Sequence, residues 1–184
     1  LDTVQTHHGR TTPVIYGVTR ANPGTVGIAY MGDGGGLAIG AQHLVNAATR
    51  SENILVVVAN NTNYGMTGGQ MSPTTMPGQK TETTPYGRDC EVTGRPAKAA
   101  ELVAAIADPN KSYVARASVS NLRKLNSVFK KALKNVAEGG YSFVEVLSLC
   151  PLNWRTNNVD TWGRLKTMEE CFEVKEFLVK EGLE

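Results

Sequence analysis

Residues 54–59 read ILVVVA, six apolar side chains in succession with no polar residue between them. A strand with one wet face alternates apolar and polar positions. An unbroken apolar run is covered on both faces, the situation of strands in parallel sheets flanked by helices. Three further runs share this character: residues 25–31 (TVGIAYM), 113–117 (YVARA) and 141–149 (YSFVEVLSL). Helical periodicities separate them. Residues 37–50 and the alanine-rich 97–107 predict helices, as do 121–138, where Leu122, Leu125, Phe129, Leu133 and Val136 form one stripe. Residues 167–180 predict a last helix. Strand and helix alternating in this order imply an α/β fold, a parallel sheet with helices on both faces. At 184 residues the chain fits one domain spanning 1–184, and it shows no internal repeat.

The bulk chemistry excludes several classes. A net charge of +2 with no basic tail gives no basis for binding nucleic acid. No apolar run approaches the roughly 18 residues of a membrane span, so no membrane partner is expected. Cysteines at 90, 150 and 171 form neither a CxxC pair nor an even set, which points to a reducing, cytoplasmic setting. The chain opens on Leu1, and the expectation is a processed product, a fragment, or one piece of a larger unit.

Ligands of such sheets sit outside the carboxyl ends of the strands. Two of those ends carry unusual residues: Gly32-Asp33-Gly34-Gly35-Gly36 after the first strand and Asn60-Asn61-Thr62-Asn63 after the second. The glycines permit a tight turn and let backbone N–H groups approach an anion. Asp33 puts a hard carboxylate in the same place, and it would repel a phosphate unless a divalent cation such as Mg²⁺ stood between them. Asparagine side chains and backbone carbonyls add neutral oxygen ligands. Either element alone is an ordinary turn. Together, with 25 residues between GDG and Asn60-Asn61, they describe a metal held on a diphosphate. The Gly/Pro/Thr-rich stretch 60–96 that follows is too long for a plain connection, and such loops are usually functional.

This pairing resembles the GDG…NN signature of thiamine diphosphate enzymes. The strings HHGRTTPVIYGVTRANP, GDGGGLAIGAQH and NYGMTGGQMSPTT resemble the β subunit of 2-oxoacid:ferredoxin oxidoreductases, the pyruvate, 2-oxoglutarate and branched-chain group, over residues 6–151. The resemblance implies a thiamine-diphosphate-binding (diphosphate-domain) fold. It implies that Asp33, the Asn61 side chain and the Asn63 main-chain carbonyl hold Mg²⁺. Gly34, Gly35, Gly65, Met66 and Thr67 would line the diphosphate, with His8 near the cofactor. It further implies oxidative decarboxylation of a 2-oxoacid, with coenzyme A taking the acyl group and ferredoxin the electrons. An α subunit would carry the pyrimidine-binding domain and the glutamate that activates the cofactor, since Glu52 and Glu82 stand in turn-like contexts and the other glutamates on helices or a strand.

Two departures accompany the resemblance. The family often has a second acid where this chain has Gly35, a change that removes no implied metal ligand. Family members also carry a leading CPGCG segment that holds most of a [4Fe-4S] cluster, and this chain starts after that point. Cys150, in the LSLCP context, is by resemblance the fourth thiolate of that cluster. The expectation is that the chain alone holds none, and that the missing segment was lost or comes from another polypeptide. Cys90 and Cys171 read as ordinary thiols.

Other features are plainer. His43 reads as a histidine packed near the first turn. Arg123, Lys124, Lys130, Lys131 and Lys134 face away from the apolar stripe, as a solvated face or one that steers an acidic ferredoxin. Trp154, Trp162, Asn157 and Asn158 read as a polar, aromatic loop suited to a partner subunit. Two alternative functions stand beside the leading one: a non-catalytic cofactor-binding scaffold, and a nucleotide-dependent dehydrogenase suggested by Gly34, Gly36 and Gly40. The latter needs an acid at the end of the second strand and finds Asn60.

Overall fold

In the computed structural model of the chain, which describes residues 2–183, four parallel strands form the centre. They are β1 (Ile28–Gly32), β2 (Leu55–Asn60), β5 (Ser112–Ser118) and β6 (Tyr141–Leu147), ordered β1-β2-β6-β5. A short hairpin, β3 (Asn63–Tyr64) and β4 (Gln70–Met71), stands apart from the sheet. A fifth sheet strand, β7 (Glu176–Val179), runs antiparallel along β5.

The helices follow from the apolar patterns. α2 (Ala41–Thr49) and α4 (Ala99–Ile106) cover one face, where Leu44, Ala47, Ala100 and Val103 pack on Val56, Val58, Val114 and Phe143. The alanines of α4 let its backbone lie close to the strands. α5 (Leu122–Ala137) covers the other face through Val128, Ala132 and Val136. Its cap is Asn121, whose side chain accepts the Lys124 N–H. Beyond the carboxyl ends of the strands, α6 (Pro151–Trp154) and α7 (Asn158–Cys171) close a third cluster of Leu147, Trp154, Leu165, Met168 and Phe172. α1 (Thr11–Ala21) packs beside β1, and α3 (Cys90–Thr93) is a single turn in the long connection.

Several boundaries differ from the sequence reading. The first strand starts at Ile28; before it only the Gly27 carbonyl, accepting the Leu55 N–H at 2.9 Å, joins the sheet pairing. The helix expected over 37–50 divides into a π-helical turn, Gly35–Ile39, and α2, with Gly40 at the junction. The helix expected over 167–180 is wrong in both limits: α7 ends at Cys171, and the segment after it is strand β7. Helix α1 was not anticipated. The sheet is covered on both faces at β2, β6 and β5. On β1, however, Ile28 and Tyr30 are 41% and 69% exposed, because α5 does not extend over the edge strand. The basic face of α5 is partly engaged, with Lys131 paired to Glu176 and Lys124 donating to the Val174 carbonyl. Among the described residues no helix is long and apolar enough to cross a membrane.

Candidate functional site

β1 and β2 are paired so that Gly32 lies opposite Ala59. Asp33 and Asn60 therefore leave adjacent strand ends, and the two sequence motifs meet. Asp33 is 3% exposed. Its Oδ1 accepts the Gly34 N–H at 2.9 Å, and its Oδ2 accepts the hydroxyls of Ser72 at 2.7 Å and Thr74 at 2.9 Å. Burial raises its pKa above the ordinary carboxylate value, and these hydrogen bonds only partly oppose the shift. All three donors are neutral, and among the described residues no cationic side chain pairs with it. A buried carboxylate of this kind lacks a countercharge and suits a bound cation.

The second motif turns sharply. Thr62 has φ +61°, a left-handed conformation that a β-branched residue avoids, here held by several bonds. Its N–H donates to Asn60 Oδ1 at 3.0 Å, and its carbonyl accepts from the Thr75 hydroxyl at 2.6 Å and Gln79 Nε2 at 3.0 Å. Asn61 Oδ1 accepts the Asn63 N–H at 3.2 Å, which places the two implied ligands on one short loop. The buried Oδ1 of Asn63 has no hydrogen-bond partner among the described residues. Asp33, a carboxylate lacking a countercharge, and the amide oxygens of the Asn60–Asn63 loop are hard oxygen donors of the kind a divalent cation takes. Among the described residues no group of three or more His, Cys, Asp or Glu gathers as an alternative metal centre.

Of the implied diphosphate residues, Gly65 adjoins the Asn61 amide, and Gly34 and Gly35 belong to the first motif. Gly34 lies under the Tyr64 ring, and a side chain at Gly35 would stand 3.5 Å from the His8 ring, so the HGR segment does reach the first motif. Gly65, Met66 and Thr67 form the tip of the β3–β4 hairpin, where Met66 is fully exposed. Gly65 is anchored by its carbonyl, which accepts from Asn153 Nδ2 at 2.9 Å. The same amide donates to Cys150 Sγ at 3.3 Å, so the half-buried thiol of Cys150 stands beside the hairpin. His43 accepts a bond from Arg10 on the surface.

The aromatic loop anticipated around Trp154 is not a loop. Trp154 is buried in α6, and its indole N–H donates to the Asn61 carbonyl at 3.0 Å. Asn157 caps α7 by accepting the Asp160 N–H, and only Trp162 keeps a partly exposed ring. Residue-by-residue reading missed Ser72 and Thr74 as partners of Asp33, although both lie in the quoted SPTT string. It also missed Asn153 and Trp154 as anchors of the second loop, because nothing local in PLNW marks a contact some 90 residues back. The long connection is pinned by Arg88, whose buried guanidinium donates to the carbonyls of Pro73, Thr75, Thr93 and Arg95.

Comparison with known proteins gives a consistent result. Residues 1–146 match the family described as thiamine pyrophosphate enzyme, C-terminal TPP binding domain. The chain is 42% identical over 179 residues to the ketoisovalerate oxidoreductase subunit VorA of Methanothermobacter thermautotrophicus, covering 95% of this chain and 37% of that protein. It is 38% identical over 165 residues to the 2-oxoglutarate synthase subunit KorB of Archaeoglobus fulgidus, covering 90% and 58%. Among solved structures, a 2-oxoglutarate:ferredoxin oxidoreductase from Magnetococcus marinus, with 2-oxoglutarate, coenzyme A and succinyl-CoA bound, matches with a TM-score of 0.70 at 30% identity. That match covers 84% of this chain and 48% of the other. The chain thus spans 37% and 58% of the length of the two curated relatives named here.

Proposed function

Because this chain belongs to the thiamine pyrophosphate enzyme family, as its C-terminal TPP binding domain, we propose that it is the cofactor-binding part of the β subunit of a 2-oxoacid:ferredoxin oxidoreductase. Asp33, the Asn61 side chain and the Asn63 carbonyl hold Mg²⁺. Gly34, Gly35, Gly65, Met66 and Thr67 lie along the diphosphate, and His8 stands at its edge. When bound, thiamine diphosphate supplies the nucleophilic carbon and electron sink for oxidative decarboxylation of a 2-oxoacid, with coenzyme A as acyl acceptor and ferredoxin as electron acceptor.

The chain's own residues bind and orient. The Gly34 N–H and the hydroxyls of Ser72 and Thr74 fix the Asp33 carboxylate in one rotamer, so the metal meets a preset ligand. The glycines keep the first turn free of side chains where a diphosphate must approach the backbone. A pyrimidine-binding domain on an α subunit completes the site, and Cys150 is a thiolate offered to a [4Fe-4S] cluster. The setting is cytoplasmic.

The observation that carries this reading is Asp33: a 3% exposed carboxylate whose hydrogen-bond donors, among the described residues, are all neutral. Calorimetric titration with thiamine diphosphate tests it. Binding is expected with Mg²⁺ and not in EDTA, and Asp33→Ala is expected to weaken it by more than about 100-fold, beyond the loss typical of outer-shell partners. Equal binding in EDTA, or an unchanged affinity in Asp33→Ala, contradicts the reading.

A further inference from the structure

Asn60 ends β2 with its side chain fully buried, and every polar atom of its amide has a partner. Oδ1 accepts the Thr62 N–H at 3.0 Å and the Thr74 hydroxyl at 2.8 Å, while Nδ2 donates to Glu145 Oε1 at 2.7 Å. A backbone N–H can only donate, so the end of the amide facing Thr62 must be the oxygen. The NH₂ end then requires an acceptor. Glu145, wholly buried on β6, is that acceptor.

Glu145 is fixed from its other side. Its Oε2 accepts Arg116 Nε at 2.8 Å and the Ala100 N–H at 3.3 Å. Arg116, also wholly buried, donates through Nη1 to Glu101 Oε1 at 3.1 Å and to the Glu173 carbonyl at 3.0 Å. Its guanidinium lies 5.5 Å and 5.0 Å from the ring centres of Phe172 and Phe177. The same sheet face carries Val56, Val58, Val114 and Phe143. Replacing a buried ion pair by apolar residues of similar volume is often neutral or stabilising, because desolvating both charges offsets their attraction. Stability is therefore weak ground on which to explain the Arg116–Glu145 pair. Its specific effect is to hold one amide in one orientation, and that amide holds the left-handed turn at Thr62.

We propose that Glu145, held by Arg116, is a positioning residue for the cation site. It orients Asn60, and through Asn60 the Thr62 turn that presents the Asn61 side chain and the Asn63 carbonyl. This rests on the assignment of Asp33, Asn61 and Asn63 as Mg²⁺ ligands. Glu145 touches neither metal nor cofactor.

The test is Mg²⁺ titration by calorimetry at saturating thiamine diphosphate, on the native protein stripped with EDTA, together with thermal unfolding. Glu145→Gln keeps the shape. Its oxygen must stay toward Arg116 Nε, so its NH₂ confronts the NH₂ of Asn60, and Asn60 can turn only by losing Thr62. Adding Asn60→Asp places an acceptor opposite the new NH₂, leaves an oxygen for Thr62 and Thr74, and keeps the total charge. Glu145→Gln alone is expected to raise the Mg²⁺ dissociation constant roughly 10- to 100-fold, and the double variant to return it to within about threefold of the unaltered protein. Glu101→Gln, which removes the outer acid of the same ion network, is expected to lower the unfolding temperature while leaving that constant within about threefold. An unchanged constant in folded Glu145→Gln, or a double variant that folds but stays weak, overturns the proposal. If Glu145→Gln does not fold, the double variant carries the test: recovery of fold and affinity supports the proposal, and failure of either overturns it. Absence of Mg²⁺-dependent binding in the unaltered protein would instead refute the ligand assignment itself.

Discussion

Gly34 in the first motif and Gly40 just after it have different reasons to be glycine. At Gly40 an added methyl group would run into the Gly35 carbonyl oxygen and lie 3.2 Å from Gly9 Cα, backbone atoms that cannot step aside. At Gly34 it would meet the Tyr64 ring at 2.7 Å, and a ring can swing away. Gly40→Ala is therefore expected to destabilise the protein by about 1–3 kcal/mol, the usual penalty of forcing extra volume into a packed site. Gly34→Ala is expected to lose less stability but to weaken thiamine diphosphate binding, because Tyr64 adjoins Gly65 on the hairpin. Denaturant unfolding and cofactor titration of both variants check this, and the opposite ranking in either measurement refutes it. The GDG…NN spacing exposed the chemistry of this site in the sequence because two local motifs each carry their own signal. Contacts such as Gly9 on Gly40, or Thr74 bridging Asp33 and Asn60, were not legible. They depend on three segments converging, and no single segment records them.

The central strands were readable because uniform apolarity is a local property, and β2, β5 and β6 lie within a residue or two of where it places them. The end of the chain was misread for a comparable reason. FEVKEFLVK suits a helix as well as a strand in isolation, and tertiary pairing decides. Tyr113 lies opposite Val179, Arg116 N–H donates to the Lys175 carbonyl, and the Tyr113 hydroxyl donates to Glu176 Oε1 at 2.8 Å. Asn157 shows the same ambiguity in a turn. Beside two tryptophans it looked like part of a contact surface, yet it starts α7 by accepting the Asp160 N–H at 2.9 Å. Asn157→Ala is accordingly expected to lower stability by about 1 kcal/mol through the lost cap, with cofactor affinity unchanged. Equal denaturation midpoints for the two proteins would show that the cap contributes nothing.

At the scale of the whole molecule, Glu101, Tyr113 and Tyr141 each tie stability to pH. On the acid side, burial pushes the Glu101 carboxyl up, but the hydrogen bond and charge of Arg116 outweigh it and leave the group below its ordinary value. A depressed carboxyl stabilises the fold above its unfolded pKa, and that contribution disappears as pH falls through the folded one. On the alkaline side, burial raises Tyr141, and burial with the Glu176 carboxylate raises Tyr113. Both phenols stay neutral in the fold while the unfolded chain ionises them near pH 10, so their contribution is whole below that pH and is lost above it. Each such group adds a slope of about 1.4 kcal/mol per pH unit there. Tyr141 differs from Tyr113 in one respect: its hydroxyl is fully buried with no hydrogen-bond partner among the described residues. The oxygen therefore carries a desolvation penalty with nothing to offset it. Tyr141→Phe is expected to raise stability at pH 7 by roughly 1 kcal/mol, since removing an unsatisfied buried group recovers that penalty. Above pH 10 the advantage of the variant should widen, because one ionisation that favours the unfolded chain is gone. Denaturant unfolding at pH 7, 10 and 11 measures both effects. A less stable variant at pH 7 would mean that the hydroxyl has a partner, and an advantage that stays constant with pH would mean that Tyr141 does not ionise on unfolding.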